Sequence, residues 1–418
     1  MENIYFPKLE DIREAATTLK GVVAVTPLMY NYTYSNEFDA NILLKREDLQ
    51  QVRSYKIRGA YNKINSLTKE ELVNGIVCAS AGNHAQGVAL ACNKKQIHGT
   101  IFMPAPTPKQ KVRQVKMFGG KYVTIELTGD SFDDSYIAAK EHCDINKKCF
   151  VHPFDDPKII EGQATVGLEI IEQVEDPIDY VFVPVGGGGL SSGLSSVFKM
   201  LSPTTKIIGV EPEGAPSMQE AIKQNDNIIL PKIDKFIDGA AVKQVGSLTY
   251  KICKENLDDM ITVHEGKVCQ TILDLYNKDA IVVEPAGALT IAALEKYRDQ
   301  IKGKNIVCIV SGSNNDITRT AEIKERALLH QGLKHYFIIR FPQRAGALRE
   351  FVRDMLSDKD NITFFEYSKK NNRESAPAVV GIELLDQKDL EPLISRMKER
   401  NFFGEYLNDK PDLFEFLV

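Results

Sequence analysis

Tryptophan is absent from this 418-residue chain, and histidine is scarce. The seven histidines (His84, His98, His142, His152, His264, His330, His335) show neither H-x-x-x-H nor H-E-x-x-H spacing, so a catalytic transition metal lacks a ligand set. No metal site is expected. The seven cysteines are odd in number and spread from Cys78 to Cys308 without a C-x-x-C pair. They read as reduced, buried thiols rather than disulfides or structural zinc ligands. Long apolar runs are missing too: none approaches the roughly 18 residues that cross a bilayer. The opening Met1-Glu2-Asn3-Ile4-Tyr5-Phe6-Pro7 has no basic stretch leading into an apolar core, so the cytoplasm is the expected location and no membrane partner is expected. A surplus of positive charge is lacking as well. The balance of 52 Lys+Arg against 57 Asp+Glu leaves −5, the wrong sign for a phosphate-backbone binder, and no nucleic-acid partner is expected. Solenoid repeats and low-complexity segments are also absent.

What remains is an ordinary globular composition, 43% hydrophobic and 26% charged, in a chain long enough for two or three domains. From about residue 40 to 310, short β-branched runs alternate with amphipathic stretches, as βαβ units on a parallel sheet require. The expected strands are 41–45, 75–79, 99–103, 121–127, 149–152, 179–185, 206–211 and 305–310. Ile57, Ala60, Tyr61, Ile64 and Leu67 recur at helical spacing, and so do Val166, Ile170, Ile171 and Val174. Near residue 332 the texture changes. Residues 334–418 hold 12 of the 34 Phe and Tyr but only 3 of the 28 Gly, which suggests a body over 1–330 and a separate tail over 334–418. The tail reads strand, helix, strand, strand, helix, strand, a βαββαβ ferredoxin-like module.

Four segments of the body could carry chemistry. Val181–Val185 is an apolar strand that runs into Gly186, Gly187, Gly188, Gly189 and Leu190, where bare backbone amides meet a helix start, either a phosphate cradle or a tight turn that packs closely and binds nothing. The spacing fits neither G-x-G-x-x-G nor G-x-x-x-x-G-K-[ST], which disfavours a dinucleotide or a P-loop nucleotide. In Ser54-Tyr55-Lys56-Ile57-Arg58-Gly59-Ala60 a lysine opens a helix, where burial and the positive helix end would favour the neutral, Schiff-base-forming amine. By itself such a lysine reads as a solvated surface residue. Ser80-Ala81-Gly82-Asn83-His84 follows a strand and suits a bound carboxylate or a plain capping turn. Ser311-Gly312-Ser313-Asn314 likewise follows a strand, and its serine either meets a ligand ring nitrogen or caps the next helix.

Taken in order, these four segments resemble the fold type II pyridoxal-phosphate enzymes, specifically the threonine dehydratases, over residues 1 to about 330. The resemblance implies an α/β body of parallel twisted sheets with helices on both faces, in two subdomains. It implies pyridoxal 5'-phosphate bound through Lys56, with Asn83 at the ring hydroxyl, Gly186 to Leu190 at the phosphate and Ser311 at the pyridine nitrogen. Ser80, Gly82, Asn83 and His84 would line the substrate carboxylate site, and Glu284 would lie beside the cofactor ring. A neutral serine at the pyridine delocalises a carbanion into the ring less than a carboxylate would, which favours loss of a β-substituent over transamination. The implied reaction is L-threonine ammonia-lyase, giving 2-oxobutanoate and ammonia as the first step of isoleucine synthesis, with L-serine as a second candidate substrate.

The tail resembles an ACT-like regulatory domain through Arg344-Ala345-Gly346-Ala347-Leu348, similar to the Arg-Pro-Gly-x-Leu turn of such modules. This implies an amino-acid effector, isoleucine with valine as a second candidate, and a homo-oligomer, either dimer or tetramer. The alternatives are a catabolic serine/threonine dehydratase or a serine racemase. Racemases of this type place a second serine at position 81, which here is Ala81, and a cation-site aspartate where this chain has Ser217, near Glu211. From another class comes a non-catalytic amino-acid sensor, which would have no need of Lys56.

Overall fold

The computed structural model describes residues 5–367 and 375–410. Met1-Glu2-Asn3-Ile4 and the last residues of the tail, 411–418, lie outside the described residues. The chain forms two compact units, Met1–Asp316 and Ile317–Val418, and the helix Thr320–His330 falls in the second.

The strands of the first unit are β1 (Leu28–Tyr30), β2 (Asn41–Arg46), β3 (Ile76–Ala79), β4 (Gly99–Met103), β5 (Val123–Leu127), β6 (Cys149–Phe150), β7 (Tyr180–Pro184), β8 (Lys206–Pro212), β9 (Asp259–Val263) and β10 (Asn305–Val310). They make two sheets. One has the order β1-β2-β10-β7-β8-β9, all parallel except β1 on its edge. The other, β5-β4-β3-β6, is wholly parallel. Every residue of β3 and β4 is buried, as expected where helices cover both faces. Each sheet has its own apolar cluster, one around Ile76, Cys78, Ile101 and Met103 and one around Val181, Val183, Val307 and Ile309.

Three departures from the expected strands have local causes. Lys121 and Tyr122 form a short 3₁₀ turn instead of opening β5, because Gly120 at φ +55° turns the chain there. Strand β6 stops at Phe150, two residues before His152, because the chain turns at His152-Pro153. Strands β1 and β9 are not foreseen: one has only three residues, and the other begins on an exposed aspartate.

The second unit contains β11 (Lys334–Pro342), the helix Ala347–Asp354, β12 (Asn361–Tyr367), β13 (Ser375–Glu383), the helix Leu390–Glu399 and β14 (Phe403–Tyr406). The sheet is antiparallel in the order β12-β13-β11-β14, the ferredoxin-like arrangement read from the sequence. Aromatic enrichment has its reason in this core, where the Phe341 ring lies 5.3 Å from that of Phe351 and 5.8 Å from that of Phe402.

Candidate active site

A cavity of about 740 Å³ lies in the first unit where β3, β6, β7 and β10 deliver their carboxyl ends. All four motif segments reach it. Lys56, Ser80, Gly82, Asn83, His84, Gly186, Gly187, Glu284 and Ser311 line its wall.

Lys56 is the first residue of the helix Lys56–Ser66. Its neighbours in the motif explain how the helix is seated. A Cβ on Gly59 would stand 2.4 Å from Gln163 Nε2 and 2.8 Å from the Ile159 carbonyl; one on Gly162 would stand 2.7 Å from the Arg58 carbonyl, and one on Gly193 2.5 Å from the Ile160 carbonyl. Three helices therefore meet backbone to backbone: Lys56–Ser66, Pro157–Gln173 and Gly189–Leu201. Arg58 is buried and grips Glu47 (Nη2–Oε1 2.7 Å) and Glu169 (Nη1–Oε1 2.6 Å), while Lys45 reaches Glu169 Oε2 at 2.6 Å. The Lys56 amine itself donates to the Pro153 carbonyl at 2.9 Å and is accessible through the cavity it lines. Burial lowers it to about 8, against the opposing charge of Glu284, so a minor neutral fraction is available near neutral pH, far more than an exposed lysine keeps.

The tetraglycine turn divides in two. Gly186 and Gly187 line the cavity, whereas Gly188, at φ +91°, caps the helix Gly189–Leu201 and Leu190 sends its side chain into the apolar core. Only the backbone of Leu190 is left for a ligand. A Cβ on Gly187 would stand 2.2 Å from Phe154 Cδ1, so the turn is closely backed.

The helix Asn83–Lys95 starts with Gly82 as its cap and no side chain closing it, which leaves first-turn amides free for an anion. A glycine thus stands where a capping side chain would otherwise close the helix. Asn83 turns to the cavity instead, where its Nδ2 donates to Glu284 Oε1 at 2.6 Å and its Oδ1 accepts from Asn314 Nδ2 at 2.5 Å. The Ser80 hydroxyl accepts from the Gly82 amide at 3.2 Å. His84 is buried with Nε2 3.0 Å from the Val151 carbonyl, and burial together with the Lys56 charge lowers it to about 3, so it is neutral. Ser311 is buried at the end of β10.

Burial, joined by the Asp238 charge, raises Glu284 to about 7, against the Asn83 hydrogen bond. A carboxyl raised in the fold contributes stability at low pH that is lost as pH climbs through its folded value. Cofactor-free Glu284→Gln is therefore expected to lose about 1–3 kcal/mol less stability than the parent between pH 5 and 8. Denaturant melts at several pH values would show this, and parallel pH dependences would refute it.

Glu211 is fully buried and accepts from the Met218 and Gln219 amides at 2.7 and 2.9 Å, while Ser217 donates to the Val242 carbonyl. Among the described residues no group of three or more His, Cys, Asp or Glu is placed to hold a metal, and no helix is long and apolar enough to cross a membrane.

Sequence reasoning missed the segment His152-Pro153-Phe154-Asp155, which lines the cavity beside the lysine. The His-Pro pair directly after a strand was the available signal. Thr249, behind the glycine turn, had none. The assembled set suits a phosphorylated aldehyde: a desolvated amine, bare amides, a neutral serine, and Asn314, whose side-chain oxygen is buried without a hydrogen-bond partner.

Residues 19–312 match the family model described as pyridoxal-phosphate dependent enzyme, and residues 325–417 match that described as the C-terminal regulatory domain of threonine dehydratase. The chain is 55% identical to the biosynthetic L-threonine dehydratase IlvA of Halalkalibacterium halodurans, over 98% of this chain and 99% of the relative. With that of Bacillus subtilis the identity is 53%, over 98% and 97%. Among solved structures, the processed form of threonine deaminase isoform 2 from Solanum lycopersicum aligns with TM-score 0.72 and 38% identity, over 78% of this chain and 97% of that one. Maize serine racemase also aligns with TM-score 0.72, at 31% identity over 78% and 99%. The body fold is thus shared by two chemistries, but the dehydratase relatives match the second unit as well. The chain belongs to the pyridoxal-phosphate-dependent enzymes, in the line of the threonine dehydratases with a C-terminal regulatory domain.

Proposed function

We propose that this protein is an L-threonine ammonia-lyase of isoleucine synthesis, acting in the cytoplasm with pyridoxal 5'-phosphate and releasing 2-oxobutanoate and ammonia. The observation that carries the reading is the desolvated Lys56 amine, lowered to about 8, in one cavity with the glycine turn and Ser311, within a chain aligned end to end with biosynthetic dehydratases. When bound, the cofactor supplies a carbonyl that captures amines and a ring that withdraws electrons from the α-carbon. Lys56 would hold it, and the same amine, when free, would take the α-proton of the substrate. The uncapped amides after Gly82, with Ser80 and His84, hold the substrate carboxylate. Asn83 would hold the ring hydroxyl, and the amides of Gly186 to Leu190 would hold the phosphate. Ser311, uncharged, would face the ring nitrogen without protonating it, a setting that favours loss of the β-hydroxyl as water over transamination. Water then returns to hydrolyse the enamine, so threonine yields 2-oxobutanoate and ammonia with no net gain or loss of water.

The test is the absorption spectrum of the purified protein before and after threonine, with oxo-acid measured in the same cuvette. A cofactor band that shifts as 2-oxobutanoate forms supports the reading; a protein that stays colourless after reconstitution overturns it.

The second unit is proposed to bind an amino-acid effector, isoleucine or valine, and to couple it to the threonine site. Removing residues 317–418 is expected to leave threonine turnover while abolishing the isoleucine response. Undiminished inhibition of the shortened enzyme would place the effector site in the first unit.

A further inference from the structure

The four residues from His152 to Asp155 cross from β6, in the four-stranded sheet, to the helix Pro157–Gln173, which packs against the helix that follows the glycine turn. Each touches a different part of the site. His152 Nδ1 accepts from the Phe154 and Asp155 amides at 3.2 and 2.7 Å, which folds the segment on itself. The Pro153 carbonyl holds the Lys56 amine, and Phe154 backs Gly187. Asp155 goes furthest. Its Oδ2 accepts from the Ser247 amide at 2.9 Å, and its Oδ1 accepts from the Leu248 and Thr249 amides at 2.9 and 3.2 Å. These open the helix Ser247–Asn256. From that anchored turn, Thr249 Oγ1 donates to the Gly187 carbonyl at 2.6 Å and the Gly246 amide donates to the same oxygen at 3.3 Å.

The two ends of a planar trans peptide point in opposite directions, and the described chain has no cis bond. Holding the Gly187 carbonyl toward Thr249 and Gly246 therefore turns the Gly188 amide to the other side. We infer that Asp155 is a positioning residue for the phosphate cradle: it fixes the turn 246–249, which clamps the Gly187 carbonyl and so presets the Gly188 amide for the phosphate. The inference rests on reading the cavity as a pyridoxal-phosphate site. It needs no threonine chemistry.

The experiment is titration of the full-length, cofactor-free protein with pyridoxal phosphate, followed by absorbance. Asp155→Ala is expected to raise the dissociation constant at least tenfold. Asp155→Asn should recover part of that, because one amide oxygen still accepts from Leu248 and Thr249. Thr249→Val, which removes the hydroxyl and keeps the shape, should weaken binding several-fold and covers the case in which Asp155→Ala does not fold. Asp156→Ala is the control for general damage. Its carboxylate caps the helix Pro157–Gln173 through the Lys158 and Ile159 amides, so its loss lowers stability, yet binding should stay within twofold of the parent. Parent-like binding by the Asp155 and Thr249 variants, or equal weakening in Asp156→Ala, overturns the inference. A parent that binds no pyridoxal phosphate overturns the site reading with it. A parent that binds the cofactor but leaves threonine untouched refutes only the proposed reaction.

Discussion

Lys56→Ala is expected to leave a folded protein whose threonine turnover is lower by about 10⁴-fold or more, since one side chain serves as both covalent anchor and base. The fold should survive because the helix opens with this residue, and Gly59 and Arg58, which seat it, are untouched. Lys56→Arg should fail as badly. A guanidinium has no neutral form in this pH range with which to capture a carbonyl. The measurement pairs oxo-acid release with the cofactor absorbance and a melting curve. Turnover within tenfold of the parent, at an unchanged melting temperature, would remove Lys56 from the reaction.

Arg58→Ala should be strongly destabilising, by about 3–5 kcal/mol, because it strands the buried Glu47 carboxylate without its cation and leaves Glu169 with Lys45 alone. The Glu47 side chain has no exposed surface and that of Glu169 very little. Burial pushes the Glu47 carboxyl up, but the charge and hydrogen bonds of Arg58 more than reverse this and hold it below the usual carboxylate range. A depressed carboxyl contributes stability above its unfolded value that is lost as pH falls through its folded one. The parent should therefore weaken on acidification below about pH 4.5, and Arg58→Ala should lose that dependence along with its stability. Denaturant unfolding at pH 7 and pH 4 separates the two effects; a loss below about 1 kcal/mol at pH 7 would mean the ion cluster is dispensable.

Both variants concern a motif legible from the start, and the contrast with what was not legible is physical. Lysine, serine and glycine at strand ends announce themselves because few side chains combine with that backbone. Buried apolar runs likewise disclosed β3, β4 and β10, whose sheet assignments follow from burial on both faces. Pairings across long separations did not show. Asn83 meets Glu284 and Asn314 from more than 200 positions away, and Asp155 meets Ser247 to Thr249 across some 90. A carboxylate bound to amides leaves no sequence signature, because any residue supplies an amide. Strand β9 was hidden for a related reason: its half-exposed face dilutes the apolar run.

The contact of Gly59, Gly162 and Gly193 has a thermal consequence. Side-chain contacts loosen gradually on warming, as rotamers become populated one by one. A junction closed mainly by backbone, with Gln163 the one side chain against Gly59, has few rotamers to populate, so the three helices stay at one separation until they part altogether. Between them they bear the lysine on one side and the glycine turn on the other. Heating should then bring no early, leaky stage in which the prosthetic group escapes from an otherwise intact body: its release and the melting of the first unit belong to the same event.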